Sequence, residues 1–420
     1  MGRSRKGGKG GSNRTHVEGK GGRKNQRGRK KKQEALFKRD IKEIQGLTAR
    51  IAAETPERGH EATFSKQNLF SELPISGATL EGLTASNFVS MTKVQRAAIP
   101  HALAGRDILG AAKTGSGKTL AFIVPLLEKL FRERWGHGDG LGALVISPTR
   151  ELALQIFEVL RGAGQKHLLS AGLIIGGKDF GEEQSRILRM NILVATPGRL
   201  LQHLEQTPAF SVDSLQMLVL DEADRILDLG FKQQLDSILN YLPPSGQLQT
   251  LLFSATQTKR IKDLARLSLS EPEYVAVHEK AEFVTPPALA QRYIVVEQHQ
   301  KLNTLWAFLK THTKHKVLVF FATCKQAKFV DGVFRQLRPG IPLMTLHGGI
   351  KQMKRLAIFT DFAARKAACM FATDIAGRGL DFPNVDWVVQ FDCPDDVESY
   401  IHRVGRPYKF LALLLPCLLT

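Results

Sequence analysis

The chain is poor in cysteine, with four in 420 residues, at 324, 369, 393 and 417. None stands in a CxxC spacing, which argues against a disulfide framework or a zinc knot and predicts buried thiols in a reducing compartment. Long apolar runs are also missing. No run reaches the ~20 residues that a membrane span requires, and no secretory apolar core opens the chain, so the sequence predicts a soluble intracellular protein with no membrane partner. Hydrophobic residues nevertheless make up 43% of the chain and charged residues 24%, enough apolar material for two or three packed domains.

Acidic residues are scarce where basic ones gather. Residues 1–40 hold 15 Lys/Arg against 3 Asp/Glu, whereas the remaining residues hold 44 against 37. A Gly/Lys/Arg-rich stretch of this kind cannot bury enough apolar surface to order itself, and it predicts a disordered basic tail attracted to phosphate backbones. Leu36, Ile41, Ile44, Leu47 and Ile51 then recur at roughly helical spacing, predicting an amphipathic helix over 41–63.

From Phe64 onward one theme repeats. A short apolar run stops at a polar or glycine-bearing cluster, and a helical pattern follows. The runs are Ala143–Ile146, Ile192–Val194, Met217–Leu220, Leu251–Phe253, Val317–Phe321, Cys369–Phe371 and Trp387–Gln390. Continuous apolar strands alternating with helices predict an α/β fold with parallel sheets covered on both faces. In such sheets ligands bind at the carboxyl ends of the strands, where the polar clusters lie here. Pro286 and Pro287 interrupt the pattern and mark a linker, 279–290, between two domains at 64–278 and 291–420.

Two clusters carry chemistry by their own residues. Ala112–Thr119, AKTGSGKT, fits the phosphate-binding loop GxxxxGK[ST] except at its first glycine. Thr114, Gly115, Ser116 and Gly117 would wrap phosphates with backbone N–H groups, Lys118 would reach the outer phosphates, and the Thr119 hydroxyl would take Mg²⁺. Asp221-Glu222-Ala223-Asp224 ends the Met217–Leu220 run. Its carboxylates suit a Mg²⁺ partner at Asp221 and a water-positioning base at Glu222.

With these stand further motifs in order: a segment ending in Gln95, PTREL at 148–152, Gly176-Gly177, TPGR at 196–199, SAT at 254–256, ATDIAGRGLD at 372–381 and HRVGR at 402–406. From about Phe64 to Arg406 the chain resembles a DEAD-box RNA helicase. The resemblance implies two tandem RecA-like domains that use ATP and Mg²⁺. It implies adenine recognition by Phe70 and Gln95, ribose contact by Asp381, and coupling of hydrolysis to closure by Ser254 and Thr256. His402 would tie the domains and Arg406 would be the arginine finger. Pro148, Thr149, Arg150, Gly177, Thr196, Pro197, Gly198 and Arg199, with Thr373 and Gly379 of the second domain, would line the RNA. Such contacts address backbone and 2′-hydroxyls and ignore sequence.

The segment Arg378–Asp392, with KRDIKEIQGL at 38–47, is similar to the nucleolar subgroup acting on small-subunit ribosomal RNA precursors. That implies precursor and guide RNAs and pre-ribosomal proteins as partners, a nuclear and nucleolar location, and a monomer. Some positions depart from the family. Asn87 and Met91 stand where Gly and Pro are usual, which would loosen that turn, and Gly377 replaces an alanine. After Arg406 the chain runs Pro407-Tyr408-Lys409, with lysine where a second arginine is usual, so a truncated or altered version of a longer protein is expected. The apolar run 410–416 would either stand in for the last strand of the second sheet or be left unpaired. Two activities therefore stay open: ATP-driven RNA remodelling, and an ATP-gated RNA clamp without turnover.

Overall fold

The computed structural model describes residues 20–59, 67–112, 115–177, 179–256, 258–276, 290–374, 382, 384–394, 399–400, 403 and 411–414. The elements begin with α1 (Lys20–Glu54), α2 (Gly77–Ala85), α3 (Lys93–Leu103), β1 (Ile108–Ala111), α4 (Lys118–Arg132), β2 (Ala143–Ile146) and α5 (Arg150–Ala163). Next come β3 (Ala171–Ile174), α6 (Phe180–Ile187), β4 (Ile192–Ala195), α7 (Pro197–Gln206), β5 (Met217–Leu220), α8 (Ala223–Asp228), α9 (Lys232–Tyr241) and β6 (Gln249–Ser254). The first half closes with α10 (Lys259–Ser268) and β7 (Glu273–Ala276). The second half runs β8 (Ala290–Tyr293), α11 (Lys301–Thr311), β9 (Lys316–Phe321), α12 (Cys324–Leu337), β10 (Leu343–Leu346), α13 (Gln352–Ala364), β11 (Ala368–Thr373), β12 (Trp387–Gln390) and β13 (Leu411–Leu414).

The strands form two sheets. The first has seven strands in the order β3-β4-β2-β5-β6-β1-β7, and the second has six in the order β10-β11-β9-β12-β13-β8. Every pairing in both is parallel. Both faces of each sheet are covered. Val145, Val194, Val219 and Leu251 point into one apolar cluster with α4 and α5, while Leu144, Leu193, Leu218 and Leu252 point into another on the opposite face. The second sheet repeats this, with Val317 and Val319 on one side and Leu318 and Phe320 on the other. Burial on both faces is why these strands read as unbroken apolar runs.

Each apolar run named from the sequence falls on a strand. The strands β3, β7, β8 and β10 were not anticipated. They are short, at four residues each; β3 and β10 are only partly buried and β8 is exposed along its whole length, so their sequences lack the continuous apolar signature. The apolar run near the chain's end does supply a strand: β13 pairs with β12 on one side and β8 on the other. The linker position falls outside the described residues, except that Ala290 already opens β8.

Two expectations need correction. The amphipathic helix was placed at 41–63, but α1 runs from Lys20 to Glu54 and so enters the stretch read as a disordered tail. Lys, Arg, Gln, Glu, Ala and Leu are strong helix formers, and Pro56 disfavours helical geometry at Thr55, which ends the run early. The cysteines are not uniformly buried either: Cys369 is, Cys324 is half-buried and Cys393 is exposed, while Cys417 lies outside the described residues. No helix among the described residues is long and apolar enough to cross a membrane.

Candidate nucleotide and nucleic-acid site

The phosphate loop leaves β1 and enters α4. Gly115 and Gly117 have φ of +75° and +88°, a region that disfavours side chains. Space forbids one at Gly117 too, since a Cβ there would lie 2.7 Å from Gln95 Nε2. Gln95 spans the gap in both directions: its Nε2 donates to Gly117 O at 2.8 Å, and its Oε1 accepts from Thr92 N at 2.8 Å. Phe70 is buried in the same segment, its N–H donating to Val89 O at 3.1 Å. The turn between them is not loosened by Asn87. Its φ is +61°, and asparagine is among the few side-chain-bearing residues that tolerate that region.

Below the loop, Lys118 and Asp221 are both buried, and among the described residues neither Lys118 Nζ nor Asp221 Oδ1 has a hydrogen-bond partner; nor has Ser116 Oγ. Burying such groups unpaired is costly, so three together at one loop describe a receptor for a polyanion and a cation. Burial pushes Asp221 up to about 7, against the pull of Lys118, with Glu222 adding to the rise. Thr119 is half-buried at the start of α4. The donor set, a hydroxyl and a carboxylate beside an amine, fits a magnesium-bound triphosphate.

Glu222 sits at φ +47°, ψ +53°, turning its carboxylate to Arg225, whose Nη1 donates to Oε2 at 2.9 Å. The neighbouring Asp224 reaches the SAT segment. Its Oδ2 accepts from Ala255 N at 3.1 Å, Thr256 N at 3.0 Å and Thr256 Oγ1 at 3.2 Å. Ser254 Oγ in turn donates to Thr256 O at 2.8 Å. The acidic tetrapeptide and the end of β6 are therefore one hydrogen-bonded unit.

A second rim continues along the same strand ends. Pro148 is buried, and Thr149 caps α5, its hydroxyl accepting from Leu152 N at 3.3 Å. The Arg150 guanidinium lies against Gly176 and Gly177, where added Cβ atoms would come within 2.7 and 2.8 Å of its nitrogens. Gly177 also needs its φ of +93°. Thr196 and Pro197 open α7, and Gly198 is exposed, with no atom within 4 Å of the position a Cβ would take. Arg199 follows, paired with Glu183 at 2.8 Å. In the second half, Thr373 ends β11 with its Oγ1 buried and without a hydrogen-bond partner among the described residues. Thr114, Gly379, Asp381, His402 and Arg406 lie outside the described residues.

The family model described as DEAD/DEAH box helicase matches residues 92–264, and that described as helicase conserved C-terminal domain matches residues 300–410. The chain belongs to the DEAD-box helicase family. Among its relatives, the ATP-dependent RNA helicase DBP4 of Coccidioides immitis is 56% identical over 373 residues, covering 89% of this chain and 45% of that one. The dbp4 protein of Sclerotinia sclerotiorum is 62% identical over 341 residues, covering 81% of this chain and 42% of that one. The chain thus spans less than half the length of these relatives. Among solved structures, the DEAD-box helicase Mss116 bound to ssRNA and UDP-BeF superposes with a TM-score of 0.77 at 28% identity, over 86% of this chain and 76% of that one. Dbp5 of S. cerevisiae, bound to RNA and ADP BeF3, gives 0.74 at 26% identity over 83% and 90%.

Several residues of this DEAD-box site were not picked out from the sequence. Asp224 was read only as part of the acidic tetrapeptide, although it carries the link to Thr256. Arg403, inside HRVGR, is buried and grips Asp374 with Nε to Oδ1 at 2.8 Å and Nη2 to Oδ2 at 2.6 Å, joining the HRVGR and ATD segments. Glu151 of PTREL is buried and pairs with Arg355 of α13 at 3.0 Å, a bridge from the first half to the second. All three stand inside motifs already named. The available signal was a charged residue next to an assigned one at a strand end.

Proposed function

We propose that the chain is an ATP-dependent RNA helicase that binds ATP with Mg²⁺ and remodels RNA locally as the nucleotide is hydrolysed. The observation that carries this reading is the set of buried polar atoms, on Ser116 and Lys118 at the phosphate loop and on Asp221 at the end of β5, that have no hydrogen-bond partner among the described residues. They face the strand edge that also holds the glycine-lined rim. Thr119 and Asp221 would hold the cation. When bound, Mg²⁺ supplies charge neutralisation for the transferring phosphoryl group.

The chain's own residues do the rest. Gln95 and Phe70 recognise adenine, and Thr114 to Gly117 cradle the phosphates beside Lys118. Glu222 takes the proton of the attacking water, and Asp224 transmits changes there to Thr256 and Ser254. Asp381, His402 and Arg406 complete the site from the second half. Arg150, Gly177, Gly198, Arg199 and Thr373 follow an RNA backbone, which explains binding without base readout. The DBP4 relatives support a place in pre-ribosomal RNA processing, with precursor and guide RNAs, pre-ribosomal proteins and a nucleolar setting.

RNA-stimulated phosphate release from the purified chain tests the reading. The expected result is turnover that rises with single-stranded RNA and accompanies strand separation of a short duplex. Tight RNA binding with no turnover would replace the enzyme with an ATP-gated clamp.

A further inference from the structure

Arg199 is held before any ligand arrives. Its side chain is only 9% exposed, and Nε donates to Glu183 Oε2 at 2.8 Å while Nη1 donates to Gln202 Oε1 at 2.9 Å. The Phe180 ring covers its face, 4.8 Å from Cζ to the centroid. The same Glu183 oxygen lies 3.2 Å from His203 Nε2, and His203 Nδ1 lies 2.8 Å from Thr207 Oγ1. His203 is fully buried, and its ring packs 4.5 Å from that of Phe180.

A neutral imidazole with its proton on Nε2 satisfies both contacts, donating to Glu183 and accepting from the Thr207 hydroxyl. Burial, aided by the Arg199 charge, lowers the affinity of His203 for a second proton and keeps it neutral. Glu183 Oε1 is buried with no hydrogen-bond partner among the described residues, so the carboxylate's paired contacts there run through one oxygen to two neighbours on α7.

We propose that Glu183 and His203 are positioning residues for RNA binding, fixing Arg199 in the orientation from which it meets a phosphate beside Gly198. The inference rests on the reading that Arg199 lines the RNA path. Its logic is preorganisation. A free arginine gives up rotamer entropy when it is ordered, and ordering it beforehand removes that cost from binding. The pair also sets the spacing of the rim, because α6 follows the Gly176-Gly177 loop and α7 begins at TPGR. The open space at Gly198 lets a phosphate approach next to the fixed guanidinium.

The test measures affinity of the full chain for a fluorescent oligouridine in the presence of a non-hydrolysable ATP analogue, across Glu183→Gln, Arg199→Gln and the double variant. Expected is a loss of roughly tenfold for Glu183→Gln and no further loss when it is added to Arg199→Gln. Glu183→Asp, which keeps the charge, recovers part of the affinity, whereas a role in packing alone would be served no better by the shorter side chain. Should Glu183→Gln fail to fold, His203→Gln replaces it, with a smaller loss that also vanishes in the Arg199→Gln background. Losses that multiply in the double variant, or wild-type affinity for Glu183→Gln alongside weakened Arg199→Gln, overturn the inference and leave the RNA-path reading standing. Wild-type affinity for Arg199→Gln overturns both.

Discussion

The two ends of the first sheet treat buried polar groups in opposite ways. At the amino ends of its strands they are largely paired, apart from Gln249 Oε1. Asp107 accepts from Thr250 N at 2.8 Å and from Ser270 N at 2.7 Å, and Gln249 Nε2 donates to the carbonyls of Ala102 and Arg106. Arg106 there meets Glu273 at 3.1 Å. At the carboxyl ends, Lys118 Nζ, Asp221 Oδ1 and Ser116 Oγ have no hydrogen-bond partner among the described residues. Paired groups at one end hold α3, β6 and β7 in register. Unpaired groups at the other end carry a desolvation cost that only a ligand relieves. One edge is built for stability and the other for binding.

The largest expected effect breaks the binding edge chemically. Glu222→Gln should lower RNA-stimulated turnover by about 10²–10⁴ while ATP and RNA still bind, as measured by phosphate release beside nucleotide titration. Unchanged turnover would remove Glu222 from the role of base. Next, Lys118→Met should weaken nucleotide binding by roughly a hundredfold and, because it deletes a buried unpaired amine, raise the unfolding midpoint of the nucleotide-free protein. A midpoint that falls would show that Lys118 is structurally satisfied after all.

At the opposite edge the signs reverse. Asp107→Ala strands the buried Thr250 N–H and frees the part-buried Ser270 N–H, and should cost about 2 kcal/mol of stability by denaturant unfolding, with nucleotide affinity in the folded protein unchanged. The smallest effect concerns His167 on the flank of the sheet, which lies 2.8 Å from Thr79 Oγ1 and is lowered by burial to about 4. A lowered histidine stays neutral in the fold, so its contribution is present above pH 6.5 and is lost as pH falls toward 4. About 2 kcal/mol should disappear across that window, allowing for the ring's partial exposure, and His167→Gln should flatten the profile.

The same contrast explains what the sequence disclosed. Strands buried on both faces, such as Met217–Leu220 and Val317–Phe321, announced themselves as apolar runs, and the motifs at the carboxyl ends of the first sheet marked the candidate site. The strands Ala171–Ile174, only partly buried, and Ala290–Tyr293, exposed throughout, did not, because residues that meet solvent need not be apolar and the continuous run is lost. The start of α1 was hidden for a different reason: composition reads a Lys/Arg-rich stretch as unable to pack, yet says little about whether its backbone can be helical. Single-residue motifs also hid their neighbours. Asp224, Glu183 and Arg403 pair with Thr256, Arg199 and Asp374, motif residues distant in sequence, and a partner on another element cannot be read from spacing along one chain.

The account's central claim is that the nucleotide loop and the RNA rim act as one unit on the binding edge. It is tested most directly by measuring oligouridine affinity with and without a non-hydrolysable ATP analogue, and analogue affinity with and without the oligouridine. The claim predicts that each ligand tightens the other by the same factor, about tenfold or more. Affinities that ignore one another would contradict it.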